Sequence, residues 1–125
     1  MLKLKALIVD DSPPNRRLPA MILGQLGWET TEVADGQSAL DLAKLDTYDC
    51  ILLDLLLPDM RGDEVCRRLR SEPATRAAWI VAYTAESDEQ VARITARTRF
   101  DAVLPKPITR KRLLDALPPD DDPKA

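Results

Sequence analysis

Carboxylates follow or interrupt apolar segments at two places in this 125-residue chain. Asp10 and Asp11 come directly after the apolar run 4–9, and Asp54 lies within ILLDLLLPD, where six of nine residues are Leu or Ile. A carboxylate beside a buried strand is strongly destabilising unless a cation or hydrogen bonds compensate it. If the two segments are neighbouring strands, the three carboxylates converge and their repulsion requires a positive charge among them. Hard oxygen ligands without soft donors suit Mg²⁺, so the pattern predicts a magnesium site.

Two more polar residues follow apolar segments: Thr84 comes after WIVAY and Lys106 after AVLP. Each polar residue has an ordinary explanation when taken alone, because the DDS segment at 10–12 and Thr84 are good helix caps and Lys106 precedes a proline in a turn-like stretch. All of them nevertheless fall where predicted strands end. Ligands of open parallel sheets bind at that edge, so the joint pattern favours a functional site.

Apolar runs alternate with helical patterns along the chain, which predicts five strands and five helices. The strands are predicted over 4–9, 29–34, 50–54, 79–83 and 102–104, and the helices over 13–27, 38–45, 63–70, 88–97 and 109–117. Strands that are each followed by a helix need right-handed crossovers, which indicates a parallel sheet with helices on both faces, a doubly wound α/β sandwich.

The first helix contains a proline, Pro19, which would remove a backbone hydrogen bond from a helix that begins at residue 13. We therefore expect a start three or four residues later, or a kink. Helical spacing predicts that the buried face of this helix consists of Leu18, Met21, Ile22, Gln25 and Leu26.

Composition bounds the remaining possibilities. With 45% apolar and 31% charged residues, the chain fits one globular domain over 1–118, followed by an acidic, proline-rich stretch at 119–125 that we expect to be a disordered tail or the start of a linker. A net charge of −3 with dispersed Arg and Lys gives no case for a nucleic-acid partner. No apolar run reaches membrane-spanning length, so we expect a soluble, cytoplasmic protein with no membrane partner.

Two absences exclude whole classes of chemistry. The chain has no histidine, so it has neither a histidine base nor a phosphohistidine of its own. Its four glycines are scattered and form no nucleotide-binding loop. Any energetic phosphate must therefore come from another molecule.

The two cysteines, Cys50 and Cys66, lie in apolar segments without a CxxC pattern and are expected to be reduced.

The motifs IVDD, LLDLLLPDMRGDE, YTA and LPKP, in this order and spacing, resemble the receiver domain of two-component response regulators over residues 4–117. The resemblance implies a flavodoxin-like (βα)5 fold with strand order 2-1-3-4-5. It also implies that Asp54 accepts a phosphoryl group from a histidine kinase or a histidine phosphotransfer protein. The segments DDSPPNRRL, VADGQSAL and FDAVLPKPI resemble receivers of hybrid histidine kinases more than those of transcription factors.

The resemblance further assigns roles to the other polar residues. Asp10, Asp11, Asp54 and the backbone carbonyl of Leu56 would bind Mg²⁺, with Mn²⁺ as a substitute. Thr84 and Lys106 would contact the phosphoryl group, and the peptide bond between Lys106 and Pro107 would be cis. The domain would not be an enzyme with a separate substrate, although it would catalyse its own phosphorylation and dephosphorylation.

The sequence departs from the family pattern at two places. Val103 stands where many receivers have an aromatic switch residue, three positions before the lysine. Leu56, two positions after Asp54, is apolar and offers no group to orient an attacking water, whereas Glu86 follows Thr84 by two positions. We therefore expect slow self-dephosphorylation.

Three other functions compete with this interpretation. A phosphatase with an aspartyl nucleophile needs DxD after the first strand, where this chain has DD, and the acidic DDSPPN would repel the phosphate of a flavin. The remaining alternative is a pseudo-receiver that acts only as a protein interaction module. For a receiver that is phosphorylated, the resemblance implies that phosphorylation shifts the surface formed by the fourth helix, the fifth strand and the fifth helix. This shift would control the binding of a downstream partner of unknown identity.

Overall fold

The computed structural model describes residues 3–119 and contains the five predicted strand and helix pairs. The strands are β1 (Lys5–Val9), β2 (Glu29–Val33), β3 (Cys50–Asp54), β4 (Trp79–Thr84) and β5 (Ala102–Pro105). The helices are α1 (Pro13–Gln25), α2 (Gly36–Leu45), α3 (Gly62–Ser71), α4 (Asp88–Arg97) and α5 (Arg110–Ala116).

The five strands form one parallel sheet in the order β2-β1-β3-β4-β5. This arrangement confirms the predicted doubly wound, flavodoxin-like fold and its 2-1-3-4-5 order. Strands β1 and β3 are neighbours, with Val9 opposite Leu53. From β1 the chain adds β2 on one side, and it then crosses to the other side of β1 to add β3. In this fold class a binding crevice lies at the carboxyl ends of the two strands where the order reverses, which here are β1 and β3.

The central strands are apolar throughout because helices cover them on both sides. One core packs α1 and α5 against the sheet and includes Ile8, Leu52 and Tyr83, while the opposite core packs α2 and α3 and includes Leu7 and Ile51. The sheet is thereby packed between two apolar layers, one on each face. The polar residues that follow the strands lie at the carboxyl edge of this packed sheet.

The predicted buried face of α1 is right at Ile22 and wrong at its other four positions. Leu18, Met21 and Leu26 are 44%, 58% and 41% exposed, and Gln25 is exposed as well. The buried residues of this helix are Pro19, Ile22 and Leu23. The late start is wrong as well, since α1 begins at Pro13 with Pro19 in its interior. A proline ring is apolar and packs into the core here, so the buried stripe is rotated by one residue from the one that leucine and methionine spacing indicated. The alternative expectation of a kink stays a prediction.

Other expectations from the sequence have clear outcomes. Helical spacing alone puts Val65, Cys66 and Leu69 on one face of α3 and Val91 and Ile94 on one face of α4, and all five residues are buried. Both cysteines are buried and form no disulfide, in agreement with the expectation from the sequence. Across residues 3–119, none of the helices has the length and apolar character to cross a membrane. The predicted tail at 119–125 lies outside the described residues apart from Pro119, so that boundary stays a prediction.

Candidate functional site

The ends of β1 and β3 bring three carboxylates together. One carboxylate oxygen from each of Asp10, Asp11 and Asp54 lies within 4.8 Å of the other two. Asp10 and Asp54 are buried, and Asp11 is exposed at the mouth of the site. The convergence expected from the sequence is therefore present. It arises because Asp54 ends β3, while Asp10 and Asp11 immediately follow β1, the adjacent strand.

The two carboxylate oxygens of Asp10 differ, because one accepts a hydrogen bond and the other does not. Its Oδ1 accepts a hydrogen bond of 2.9 Å from the backbone N–H of Ser12. Its Oδ2 is buried and lies 2.6 Å from Lys106 Nζ, but the two groups do not align as a hydrogen bond. A fully buried carboxylate oxygen of this kind is compensated by charge alone, which makes it a natural ligand for a cation.

Asp54 is a buried acid with partial compensation. Its Oδ1 accepts from the backbone N–H of Leu56 at 3.2 Å, and its Oδ2 lies 3.2 Å from Lys106 Nζ. Burial raises the pKa of the Asp54 carboxyl above its usual value, while the Leu56 N–H and the Lys106 ammonium act in the opposite direction and the charge of Asp10 adds to the increase. Desolvation is the largest of these effects, so an additional positive charge in the crevice would stabilise the ionised form.

Lys106 provides the cation that faces both buried acids. Its side chain is 13% exposed, and its ammonium contacts Asp10 and Asp54. Its backbone N–H donates to the Thr84 carbonyl at 2.8 Å, which ties the end of β5 to the end of β4. The peptide bond between Lys106 and Pro107 is cis, as the resemblance implied. The ammonium also lies 4.8 Å from the centre of the Tyr83 ring.

Thr84 ends β4 at the same edge of the sheet, and its hydroxyl is bonded to its own loop. The residue is buried, and among the described residues its hydroxyl forms one hydrogen bond, accepted from the Glu86 N–H at 2.9 Å. The α4 cap is Ser87, whose hydroxyl accepts from the Gln90 N–H. The helix-cap explanation of Thr84 is therefore wrong, and its hydroxyl proton remains available for another acceptor.

The loop between β3 and α3 is folded tightly against Asp54. Leu56 pairs with Arg61 in an antiparallel bridge, and the Gly62 N–H donates to the Leu55 carbonyl at 3.0 Å. A Cβ atom at Gly62 would overlap the backbone carbonyl oxygen of Asp54. Glycine is required at that position because no side chain fits against the main chain of the acid. The Leu56 side chain is 57% exposed and does not fill the crevice.

Two features of the site were not predicted. Arg61 donates to Glu86 at 3.2 Å and to Asp63 at 3.0 Å, which joins the loops that follow β3 and β4. Tyr83 contacts Lys106, although strand alternation alone gave it no role in the site. No local motif marks either pair, because the partners lie 25 and 23 positions apart in the chain and meet only through the strand order.

The described residues fit a divalent cation. The three carboxylates supply hard oxygen ligands. The buried Asp10 Oδ2 has no hydrogen-bond partner among the described residues, and a metal ion would supply the missing partner. Lys106 supplies a single charge against three acids, so positive charge is still in deficit there. The absence of sulfur and imidazole ligands favours Mg²⁺ over zinc.

Comparison with known proteins gives one family. A family model described as the response regulator receiver domain matches residues 6–118. The sensor protein EvgS of Escherichia coli (strain K12) is 35% identical over 88 residues, which are 70% of this chain and 7% of that protein. The transcriptional regulatory protein SrrA of Staphylococcus aureus (strain NCTC 8325 / PS 47) is 43% identical over 83 residues, which are 66% of this chain and 33% of that protein. The chain thus spans a third or less of these relatives.

A solved structure resembles the whole fold. The receiver domain of the sensor histidine kinase PA1611 from Pseudomonas aeruginosa PAO1, with a magnesium ion coordinated in its active site cleft, has 31% identity and a TM-score of 0.83. The match covers 91% of this chain and 93% of that one. Sensor proteins and a transcriptional regulator are both among these matches, so the closer likeness to hybrid kinases stays a prediction.

Proposed function

The chain belongs to the response regulator receiver domain family of two-component signalling, and on that premise we propose that Asp54 accepts a phosphoryl group from a partner phosphohistidine. The observation that carries the proposal is the convergence of Asp10, Asp11 and Asp54 beside Lys106 at one sheet edge. The donor would be a histidine kinase or a histidine phosphotransfer protein, because the chain has no histidine to carry the group itself. We place this exchange in the cytoplasm.

The transfer needs little covalent chemistry from the protein. An Asp54 carboxylate oxygen attacks phosphorus while the bond from phosphorus to the donor's histidine nitrogen breaks, and the histidine leaves with the bonding electron pair. Lys106 faces Asp54 Oδ2 at 3.2 Å and is positioned to pair with a phosphoryl oxygen. The pairing of β1 with β3 and the contacts of Asp54 with the Leu56 N–H and Lys106 would hold the nucleophile in place, so that little reorganisation is required.

Asp10, Asp11, Asp54 and the Leu56 backbone carbonyl would hold Mg²⁺, with Mn²⁺ as a substitute. When bound, the metal supplies charge that neutralises the phosphoryl oxygens and orients them. The support for this ligand set is the buried, unbonded Asp10 Oδ2 and the oxygen-only composition of the cluster. Lys106 would then be released from charge compensation within the acid cluster and could turn toward the phosphoryl group.

Phosphorylation would change the crevice in a way that reaches the surface. A phosphoryl group adds about −1.5 to −2 charges and new acceptor oxygens, to which the Thr84 hydroxyl and Lys106 can donate. Thr84 would have to leave its present bond with the Glu86 N–H or carry that loop with it. Movement of the loop would alter the surface of α4, β5 and α5 and thereby control a downstream partner.

Intact-mass measurement after incubation with acetyl phosphate and Mg²⁺ tests the proposal. The parent is expected to gain one phosphoryl group, whereas Asp54→Asn gains none and a chelator abolishes the gain. Glu89→Gln, an exposed carboxylate change on α4, serves as the matched control and should behave like the parent. An unmodified parent that behaves like Asp54→Asn would instead favour the pseudo-receiver, a module that only binds another protein.

A further inference from the structure

Tyr83 lies directly beside the acid and under the lysine of the site. It is opposite Asp54 in the register of β3 and β4, and its side chain is 2% exposed. The Lys106 ammonium is 4.8 Å from the centre of its ring. A cation within about 6 Å of an aromatic face is attracted by the ring quadrupole, most strongly where water is excluded. The ring therefore forms one wall of the pocket that holds this ammonium.

The hydroxyl of Tyr83 fixes the ring from its other end. It donates a hydrogen bond of 3.0 Å to the Asn15 carbonyl on α1. Within a helix, that carbonyl would accept from the residue four positions later, which is Pro19 and has no N–H. The tyrosine thus supplies a donor where the helix lacks one. Burial, with the charges of Asp10 and Asp54, raises the pKa of Tyr83 to about 12, so the hydroxyl keeps its proton.

Fixing the ring matters because Lys106 has few other constraints on its side chain. Its backbone N–H bonds to Thr84, but the side chain has four rotatable bonds and is compensated by two acids at 2.6 and 3.2 Å. The ammonium lies closer to Asp10, at 2.6 Å, than to Asp54, at 3.2 Å. The Tyr83 ring, 4.8 Å away, occupies one side of it and attracts it, which limits the positions open to the side chain.

We propose that Tyr83 is a positioning residue for Lys106. Its ring, anchored through the Asn15 carbonyl, holds the ammonium within reach of a phosphoryl group on Asp54. The inference rests on the proposed function and deepens it. The competing explanation is that Tyr83 is an ordinary core residue packed with Ile8, Ile22 and Leu113. The two explanations differ in whether the effect of changing Tyr83 passes through Lys106.

Phosphorylation rates over a range of acetyl phosphate concentrations, with Mg²⁺, separate them. Tyr83→Leu removes the ring and is expected to lower the second-order rate constant of phosphorylation by about threefold to thirtyfold, the range of a cation–π contact from exposed to desolvated. Tyr83→Phe keeps the ring but loses its anchor on Asn15, so its rate constant should lie between those of the parent and of Tyr83→Leu. Tyr48→Leu is the matched control, because Tyr48 is a buried tyrosine 5.7 Å under Lys5 at a different place in the fold. It should lower stability without changing the rate.

The decisive comparison uses Lys106→Met. If Tyr83 acts through the lysine, adding Tyr83→Leu to Lys106→Met should lower the rate no further. A second loss of the same size in that background, or an unchanged rate for Tyr83→Leu alone, would overturn the inference.

An independent readout needs no phosphorylation. The ring should shift the Lys106 ε-methylene proton resonances upfield in the NMR spectra of the parent and of Tyr83→Phe, but not in Tyr83→Leu. Absence of that shift from the parent would overturn the inference. If the parent takes no phosphoryl group, the proposed function fails, and the NMR comparison alone then decides whether Tyr83 holds Lys106.

Discussion

Arg61 and Glu86 form an ion pair of 3.2 Å that joins the loop after β3 to the loop after β4. Arg61 belongs to the loop that carries Leu56, and Glu86 donates its backbone N–H to Thr84. The pair therefore links the loop that follows Asp54 with the loop that, under the proposed function, would move when Thr84 reaches a phosphoryl group. We expect the pair to resist that movement by an amount equal to its own strength.

Breaking this pair should have a small, measurable effect on folding. The side chains are 41% and 15% exposed, so solvent screens the pair and we expect a coupling of about 0.5 to 1 kcal/mol. Urea unfolding of Arg61→Met, Glu86→Gln and the double variant measures it, because the cycle removes the separate contact of Arg61 with Asp63. The same cycle for Arg93 and Glu89, exposed and 3.9 Å apart, should give a coupling near zero. Equal couplings for the two pairs would contradict the link.

Removing a negative charge from the crevice should stabilise the metal-free protein. Asp54→Asn keeps the oxygen that accepts from Leu56 but relieves repulsion from Asp10 and Asp11, so we expect a gain of about 1 kcal/mol in the free energy of unfolding. Mg²⁺ should raise the Tm of the parent more than that of the variant. Thermal melts with and without Mg²⁺ measure both effects. Identical Mg²⁺ shifts in the two proteins would exclude Asp54 from the metal site.

The pH dependence of the same comparison has a definite sign. Burial raises the folded pKa of Asp54 above its usual value near 3.8, so the folded protein binds this proton more tightly than the unfolded chain. The contribution of Asp54 to stability is then favourable below the unfolded value and is lost as the pH rises through the folded pKa. Without metal, Asp54→Asn should match the parent at low pH and become the more stable protein as the pH rises. Urea titrations at several pH values test this, and a gap that widens toward acid would refute it.

The thiols should be unreactive in the folded protein. Burial raises the pKa of Cys66 to about 11, and that of Cys50 is raised further for the same reason. At pH 8 about 0.1% of the Cys66 thiol would be ionised, and access is blocked as well. A disulfide reagent such as DTNB should therefore label neither cysteine within minutes in buffer, but both in strong denaturant. Rapid labelling of the native protein would show that α3 opens frequently.

The phosphorylated protein should lose its phosphoryl group slowly. Leu56 presents an apolar side chain two positions after Asp54, and Glu86 is held by Arg61, so neither orients an attacking water. Decay of the phosphorylated mass after donor removal gives the rate. Leu56→Asn, which adds a polar group at that position, should shorten the lifetime. A parent lifetime of seconds would contradict the prediction.

Most of the fold followed from local pattern. The strand at 50–54 and the helix at 88–97 have the predicted bounds because an apolar run and a helical stripe each end at a polar residue. The three acids could be expected at one edge because the carboxyl ends of parallel strands share it. That β1 and β3 are neighbours, which brings the acids together, was implied only by the family resemblance and is seen in the strand order.

What could not be predicted depends on contacts between distant segments. The buried face of α1 was misassigned because Pro19 was treated as a local disruption, whereas the core accepts its ring beside Ile22 and Leu23. The contact between Tyr83 and Lys106 was missed because alternation says which face of a strand a side chain occupies, but not how far it reaches. Both cases turn on side-chain packing that spacing along the chain does not encode.

The hydrogen bond from Tyr83 to the Asn15 carbonyl, which Pro19 leaves without a helical donor, also limits how this domain can be recombined with its relatives. If α1 were transplanted into a receiver with an aliphatic residue at the position of Tyr83, the Asn15 carbonyl would lose the donor it has here. A tyrosine transplanted alone would meet a helix whose carbonyl already has its own N–H partner. Chimaeras of this chain should therefore exchange α1 and β4 as one unit. The Asn15 carbonyl of α1 and the Tyr83 hydroxyl of β4 are partners in one hydrogen bond, and each would lose that partner in a foreign scaffold.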